Sequence, residues 1–397
     1  MQKPDRTTLA TMLAGMCTFL NVYSTQPLLP LLRRVFGASE LAVSLTVSAT
    51  IFATALLAPV IGMIAERRGR KKVIVPSLFL LTVPTLFAAT STSLSALIFW
   101  RFAQGLFVPG VIAVILAYVN EEFAGRGVGR AMAAYVTGTV LGGFLGRFIA
   151  GVVATHWNWR GVFVVLAGLN LVGAVAVQAW LPKAKNFVRA EHLGQVVQEA
   201  RAHLRNPSLL ANFGMGASVL LALVGCFTYA NFYLAGPPFG LNSAQLGSIF
   251  FVYLLGVGIT PQAGRFLDRF GFRHTTLLYC AMMIAGLLLT LVRSLAVVIV
   301  GLAIFSSGMF VAQAAAAVQT GMIAGRARSS AAGLYVTFYY LGGTIGATIT
   351  DWFWHWKGWP GCVVLLGGVS LLSLWLAWVS VRENAVERYL AEGDLDI

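Results

Sequence analysis

Apolar residues form twelve long runs along the chain, separated by short polar segments. Each run has roughly 20 residues, which is enough for a helix to cross the ~30 Å hydrocarbon core of a bilayer. The runs are continuously apolar and lack the alternating pattern of transmembrane barrel strands. The pattern therefore predicts an all-α membrane protein with twelve transmembrane helices, at about residues 8–31, 42–64, 73–91, 95–118, 130–154, 160–181, 208–234, 243–265, 274–292, 295–318, 330–354 and 361–380.

Two pairs of segments recur at about half the chain length. Residues 62–72 read GMIAERRGRKK and residues 264–274 read GRFLDRFGFRH, so that glycine, acid, arginine, glycine and a following cation match. Residues 135–147 and 335–347 share Tyr, Val, Thr, Leu and three glycines. These matches indicate a duplication. They predict two pseudo-symmetric six-helix bundles, 1–182 and 207–397, joined by a linker at 183–206 that contains an amphipathic surface helix.

Composition and charge support a membrane protein and exclude one function class. Hydrophobic residues make up 58% of the chain and charged residues only 11%, far from the balance of a soluble domain. The net charge is +14, but 21 of the 28 Lys and Arg fall in alternate loops and the termini, which leaves five on the opposite side and two within runs. This bias predicts that both termini are cytoplasmic, and it argues against a nucleic-acid partner.

Three motifs resemble those of the major facilitator superfamily. Residues 62–72 resemble its motif A, and Arg101 with Gln104 and Gly105 resembles its motif B. Residues 135–147 resemble the antiporter motif C, with Gly143 where that motif has proline. The runs 26–30 (QPLLP) and 339–343 (YYLGG) are similar to the YnfM-type members, which belong to the twelve-span drug and metabolite efflux antiporters.

This resemblance implies a secondary transporter that exports small organic molecules in exchange for protons across a bacterial inner membrane. Two bundles would rock about a site at the midplane, by alternating access. We expect a monomer with a small-molecule substrate, protons and membrane lipids as partners, and without a cofactor or metal. Neither a catalytic triad nor a nucleotide loop nor a metal-ligand spacing is evident, so an enzyme is disfavoured. The four cysteines fall inside apolar runs and are interpreted as small buried hydrophobes.

Polar and aromatic residues within the spans are the substrate-binding candidates, because polar groups at this depth face protein or water. Arg101 is the most specific: its guanidinium could bind an anionic group or assist proton release from a carboxylate, unless it snorkels outward. The alternative interpretation is that the amides and tyrosines form hydrogen bonds between helices. The candidates are Asn21, Tyr23, Gln26, Arg101, Gln104, Tyr229, Asn231, Tyr233 and Gln313.

A second set of residues is expected to control opening and coupling. Glu66, Arg70 and Glu121 or Glu122 would form a weak ion-pair latch that closes the cytoplasmic side. The remaining gating candidates, by their repeat positions or helix-packing pattern, are Gly62, Asp268, Arg269, Gly142, Gly146 and Arg147.

Acids near the membrane are few, which limits the proton-coupling candidates to Asp351 and Glu40. Asp351 lies one helical turn before His355, and a solvated helix end is the alternative interpretation.

A lipid or lysolipid flippase on the same fold is the alternative function, favoured if the central cavity opens to lipid. The duplication disfavours a channel or membrane-bound enzyme.

Overall fold

The computed structural model describes residues 5–123, 127–184, 193–324 and 328–393, and regular structure in these ranges is helical. The α-helices are α1 Arg6–Val22, α2 Leu29–Phe36, α3 Glu40–Arg68, α4 Lys71–Ala88, α5 Leu94–Phe107, α6 Pro109–Glu122, α7 Val128–His156, α8 Trp159–Trp180, α9 Leu193–His203, α10 Pro207–Ala235, α11 Ser243–Ile249, α12 Leu254–Leu289, α13 Leu295–Ile323, α14 Arg328–Lys357 and α15 Trp359–Gly393. Short 3₁₀ turns cover Gln26–Leu28 and Phe250–Tyr253.

Within the described ranges, nine helical segments are long and apolar enough to cross a membrane. They are Glu40–Ala65, Lys71–Ala88, Leu94–Glu122, Val128–His156, Trp159–Trp180, Pro207–Ala235, Arg269–Leu289, Leu295–Ile323 and Trp359–Val381. The other predicted spans fall on interrupted or less apolar helices. α1 has 17 residues, which at 1.5 Å each give about 26 Å, and the chain continues to Phe36 only after a break. Residues 243–270 contain the second 3₁₀ turn, and α14 is rich in Gly, Thr, Tyr and Trp.

The two copies of the basic motif share an unusual backbone conformation. Gly69 ends α3 with φ 93° and ψ 145°. Gly271 interrupts α12 with φ 72° and ψ 172°, which separates residues 254–270 from 272–289. Residues with a side chain rarely adopt this region, so glycine is required at both turns. The sequence match between 62–72 and 264–274 therefore coincides with a structural match.

The glycines of the second repeat pack helices in the same way in both halves. A Cβ atom on Gly142 of α7 would lie 2.2 Å from the carbonyl oxygen of Met16 in α1. A Cβ atom on Gly342 of α14 would lie 2.0 Å from the carbonyl oxygen of Ala217 in α10. Only glycine allows helix backbones to approach this closely. The matching pairs α1–α7 and α10–α14 agree with the sequence repeat between 135–147 and 335–347.

Pro109 divides span four into α5 and α6, and the carbonyl that loses its helical donor to the proline still accepts a hydrogen bond. Proline has no N–H, so the carbonyl of Gly105, four residues earlier, loses its usual helical donor. The hydroxyl of Thr54 in α3 donates to this oxygen at 3.3 Å. A neighbouring helix thus supplies the donor that lipid cannot.

Two contacts between the halves lie near one end of the molecule, here called the Trp-rich end for the turns at 156–161 and 355–361. Gly151 of α7 abuts the backbone of Ser243, and the backbone N–H of Ala244 donates to Thr155 Oγ1 at 3.0 Å. On the other side of the molecule, Ser44 of α3 donates to the carbonyl of Ala347 in α14 at 3.5 Å. These two contacts, α7–α11 and α3–α14, close the Trp-rich end. The opposite end carries the 66–72 segment and is called the basic end.

We predict that Gly142→Ala lowers the apparent melting temperature in detergent, whereas Gly168→Ala does not. A methyl group at residue 142 presses on the Met16 backbone, and overpacking of this kind costs about 1–3 kcal/mol. Gly168 has open space around its Cβ position, and alanine is about 1 kcal/mol better than glycine inside a helix. Gly342→Ala should match Gly142→Ala if the repeats are equivalent. Equal melting of all three variants and the wild type would contradict the packing described here.

Candidate functional site

A cavity of about 1000 Å³ lies between residues from both halves of the sequence. It opens at the basic end, beside Gly62, Arg70 and Glu121, and it ends at Arg147 below the closed Trp-rich end. This volume is sufficient for a drug-sized molecule. Its walls are rich in aromatic side chains, which include Phe19, Tyr23, Tyr135, Phe310, Tyr339 and Tyr340.

Arg147 forms the floor of this cavity and is only 2% exposed. Its Nε donates to Gln26 Oε1 at 2.7 Å, and its Nη1 donates to the carbonyl of Gly143 at 2.5 Å. The guanidinium carbon lies 4.6 Å from the ring centre of Tyr23, 4.5 Å from that of Phe250 and 5.0 Å from that of Tyr253. Cation–π contacts at these distances partly offset the cost of burying the charge.

Gly143 makes room for this guanidinium. A Cβ atom at residue 143 would lie 3.3 Å from Arg147 Nη1, closer than side-chain atoms usually approach. The glycine at residue 143, where motif C has proline, therefore leaves room for a neighbouring side chain. The space is occupied by the arginine one turn later in α7.

Arg101 is fully buried, but it does not line the cavity. Its Nε donates to the carbonyl of Thr46 in α3 and its Nη1 to that of Asn21 in α1, both at 2.9 Å. Its Nη2 donates to the carbonyl of Val22. Helix α1 ends here, so its last carbonyls lack helical donors and a cation satisfies them well. The structure thus places Arg101 as a cap on the break in span one, with no snorkelling to the surface.

Gln104 and Asn21 belong to a hydrogen-bond network around Arg101. Gln104 Oε1 accepts from Arg101 Nη1, and Gln104 Nε2 donates to Thr85 Oγ1 at 2.8 Å. Thr85 donates to Asn21 Oδ1 at 3.2 Å, and Asn21 Nδ2 lies 3.4 Å from Asn170 Oδ1. The network joins α1, α4, α5 and α8. For Asn21 and Gln104 this arrangement matches the bonding between helices that was the alternative interpretation.

The other substrate-binding candidates divide into two groups. Tyr23 and Gln313 line the cavity, and Gln26 reaches it indirectly through its bond to Arg147. Three lie on α10 outside the lining: Tyr229 donates to Asp351, Asn231 Nδ2 donates to the carbonyl of Phe227, and Tyr233 stacks on Trp359 with ring centres 5.3 Å apart.

Among the gating candidates, Arg70 and Glu121 form the expected ion pair. Arg70 Nη2 lies 2.6 Å from Glu121 Oε1, and Arg70 Nε donates to both carboxylate oxygens at 3.2 Å. Both residues belong to the first half, and both line the open mouth of the cavity. In this state the pair is therefore formed while the basic end is open. The predicted latch role stays a prediction.

The remaining gating candidates have separate positions. Gly62 lines the cavity mouth, and Gly146 packs α7 against Leu20 of α1 as Gly142 does against Met16. Arg269 lies over the ring of Phe270 at 5.2 Å. Glu122 lies at the end of α6, and the side chains of Glu66 and Asp268 fall outside the described residues.

The two proton-coupling candidates differ in surroundings. Asp351 is 4% exposed, accepts from the Tyr229 hydroxyl at 2.8 Å, and lies 3.4 Å from His355 Nε2. It sits one turn after Ala347, within the α3–α14 contact that closes the Trp-rich end. Glu40 pairs with Arg33 at 3.1 Å at the same end. The structure shows neither acid bonded to Arg101.

The sequence model of the Major Facilitator Superfamily matches residues 11–312 and 218–394 of the chain. The chain belongs to this superfamily. It is similar to the MFS-type transporter YybF of Bacillus subtilis, with 32% identity over 94% of this chain and 93% of that one. It is also similar to the inner membrane transport protein YnfM of Escherichia coli, with 32% identity over 93% of this chain and 89% of that one.

Solved structures show the same fold. A bacterial homolog of the human lysosomal transporter Spinster, in an inward-facing and occupied conformation, matches with a TM-score of 0.77 at 13% identity, over 96% of this chain and 98% of that one. The predicted family is thus confirmed. The protein is a multi-pass membrane transporter of the major facilitator superfamily rather than an enzyme.

Several residues of this facilitator were not singled out from the sequence. Asn170 donates to the carbonyl of Leu78 and to Thr82 Oγ1, both at 2.8 Å, and it extends the network around Arg101. A lone asparagine in an apolar run was the available signal. Tyr253 contacts Arg147 from the 3₁₀ turn after α11, which no sequence motif marks.

We predict that the main effect of Arg101→Ala is a loss of stability rather than a change in substrate selectivity. The Asn21 carbonyl would keep Ser24 Oγ as a donor at 3.0 Å, and the Thr46 carbonyl lies inside α3. The Val22 carbonyl would lose its donor from Arg101, and an unsatisfied buried group costs about 1–3 kcal/mol. The check is the melting temperature in detergent, compared with Arg34→Ala, which removes an exposed cation from α2. If Arg101→Ala melts like wild type and yet fails to transport, Arg101 acts on substrate and not on the helix break.

Proposed function

We propose that this facilitator exports small organic molecules from the bacterial cytoplasm in exchange for protons. Twelve spans would form two six-helix bundles, 1–182 and 207–397, joined by the linker at 183–206. The basic end would face the cytoplasm with both termini, as the positive-inside rule predicts. The protein would act as a monomer in the inner membrane and alternate between two bundle arrangements.

The observation that carries this proposal is a large cavity that is open at one end and closed at the other. It reaches from the basic end to Arg147, and contacts α7–α11 and α3–α14 block the way beyond. With the basic end in the cytoplasm, this arrangement is the inward-open state of a transporter. The tyrosine-rich walls suit an organic solute better than an inorganic ion.

Asp351 is the proton carrier in this proposal. It is buried in the closed state beside Tyr229, and its neighbour His355 has a side chain that is 59% exposed. Separation of α3 from α14 would open the Trp-rich end and expose the carboxylate to the outer solution. The side of the membrane with which this carboxylate exchanges a proton would then depend on the bundle arrangement.

We predict that proteoliposomes with an acidic lumen accumulate at least one compound from a panel of small organic molecules. Proton efflux would drive the uptake, so a protonophore should abolish it. Mass spectrometry of the washed vesicles measures accumulation, and protein-free liposomes are the control. Absence of protein-dependent accumulation across cationic, neutral and anionic compounds would contradict the proposal.

We further predict that Asp351→Asn separates exchange from coupling. Asparagine keeps an oxygen that accepts from Tyr229, so the helix contact should survive, but it carries no titratable proton. Exchange of labelled for unlabelled substrate should continue, while accumulation driven by the pH gradient should be lost. Glu40→Gln is the matched control and should keep both activities. Loss of coupling in the Glu40 variant alone would transfer the role to Glu40.

A further inference from the structure

Arg147 lacks a counter-ion among the described residues, although it lies in a membrane-embedded cavity. The ion pairs of the described part of the chain are Arg33–Glu40, Arg70–Glu121 and His355–Asp351, all away from this position. A buried guanidinium without a carboxylate is costly, and such groups usually have a partner within the protein. Here the neutral partners are Gln26, Gly143 and three aromatic rings.

The guanidinium also has unused donors on its cavity side. Arginine carries five N–H groups, and two of them are used, one on Nε and one on Nη1. Nη2 makes no hydrogen bond with a described residue, and Arg147 lines the cavity. The hydrogen bonds to Gln26 and to the carbonyl of Gly143 hold the fork in one orientation.

A second unpartnered polar group lies beside the arginine. The hydroxyl of Tyr253 is buried and has no hydrogen-bond partner within the described residues, and its ring packs against the Arg147 guanidinium. Tyr253 lines the same cavity. Buried hydroxyl groups nearly always have a partner, but the Tyr253 oxygen is closed off from the cavity, so it reaches a bound group only if its ring moves. The guanidinium fork of Arg147 by itself fits a carboxylate.

The rest of the cavity indicates what such an anion is attached to. The other charged lining residues, Arg70, Glu121 and Glu199, are grouped at the mouth, and Arg70 is already paired with Glu121. Between the mouth and Arg147 the walls are mainly aromatic and aliphatic. Apolar walls with one fixed cation at the deep end select an apolar body with one anionic group.

We propose that Arg147, with the Tyr253 ring packed against it, forms the anion subsite of this transporter, and that its substrates are aromatic carboxylates. The proposal rests on the transport function above and adds the substrate class. Arg147, counted among the gating candidates from the sequence, becomes the residue that contacts the substrate. Its bond to Gln26 then connects the bound anion to the break in span one.

The test is equilibrium binding to the purified protein in detergent, which requires no transport. The probes share one ring system: 2-naphthoate is anionic, 2-naphthamide is neutral, and 2-naphthylmethylammonium is cationic. A charge-assisted hydrogen bond is stronger than a neutral one, so naphthoate should bind wild type at least about tenfold more tightly than the amide. Equal affinity for the three probes overturns the proposal without any variant.

Three variants locate the effect. Arg147→Gln should weaken naphthoate binding by about tenfold and leave naphthamide unchanged. Arg147→Lys keeps the charge but lacks the fork, so it should show a smaller loss. Arg293→Gln, which removes an exposed cation near the Trp-rich end, is the control and should bind like wild type. A parallel loss of naphthoate and naphthamide in both Arg147 variants would mean a structural role only, and would overturn the proposal.

Three further outcomes distinguish the anion subsite from a lipid site and from the transport function. Lysophosphatidylglycerol carries an anionic headgroup on a lipid body, and displacement of naphthoate by it at lower concentrations than by unlabelled naphthoate would overturn an aromatic substrate. Failure of the transport screen with intact anion selectivity in binding would contradict export while supporting the subsite. Accumulation of cations but not of naphthoate would support transport and overturn the subsite.

Discussion

The break in span one depends on one constraint: in lipid, a helix end must have its carbonyls satisfied by protein. Arg101 does this for Asn21 and Val22 from a neighbouring helix. Because α1 can end there, the chain turns and presents Gln26 to Arg147 on the opposite side. The two buried arginines are thus connected through the same irregular segment. Arg101 donates to backbone carbonyls of this segment, and Arg147 donates to the side chain of its Gln26.

The two halves share packing but not charge. The position that corresponds to Arg101 is Gly301, where a Cβ atom would lie 2.6 Å from the carbonyl of Gly286. The position that corresponds to Arg147 is Ala347, whose carbonyl oxygen lies 3.5 Å from Ser44 Oγ and 3.3 Å from the Tyr229 hydroxyl. Where the first half places a guanidinium, the second half therefore has close backbone packing or an interhelical bond. Both buried guanidinium groups therefore belong to the first half.

The fold was largely predictable because its determinants are local or periodic. Apolar runs predict spans, and the repeated glycines predict both close helix packing and the turns at Gly69 and Gly271. The roles of the two buried arginines were harder to predict from the sequence. A sequence shows that Arg101 is costly in an apolar run, but not that three carbonyls from two other helices surround it. Likewise, Tyr253 meets Arg147 only through tertiary packing, so no spacing rule brings the pair together.

The solitary charge of Arg147 has a consequence for the energetics of cycling. A carrier whose membrane-embedded floor is cationic when empty moves part of an elementary charge whenever that floor changes its access across the membrane field. One full charge across 100 mV corresponds to about 2.3 kcal/mol. A bound monoanion neutralises the floor, so the floor would move no charge in the substrate-loaded step. In the return step, with a proton but no substrate bound, the floor would feel the membrane potential.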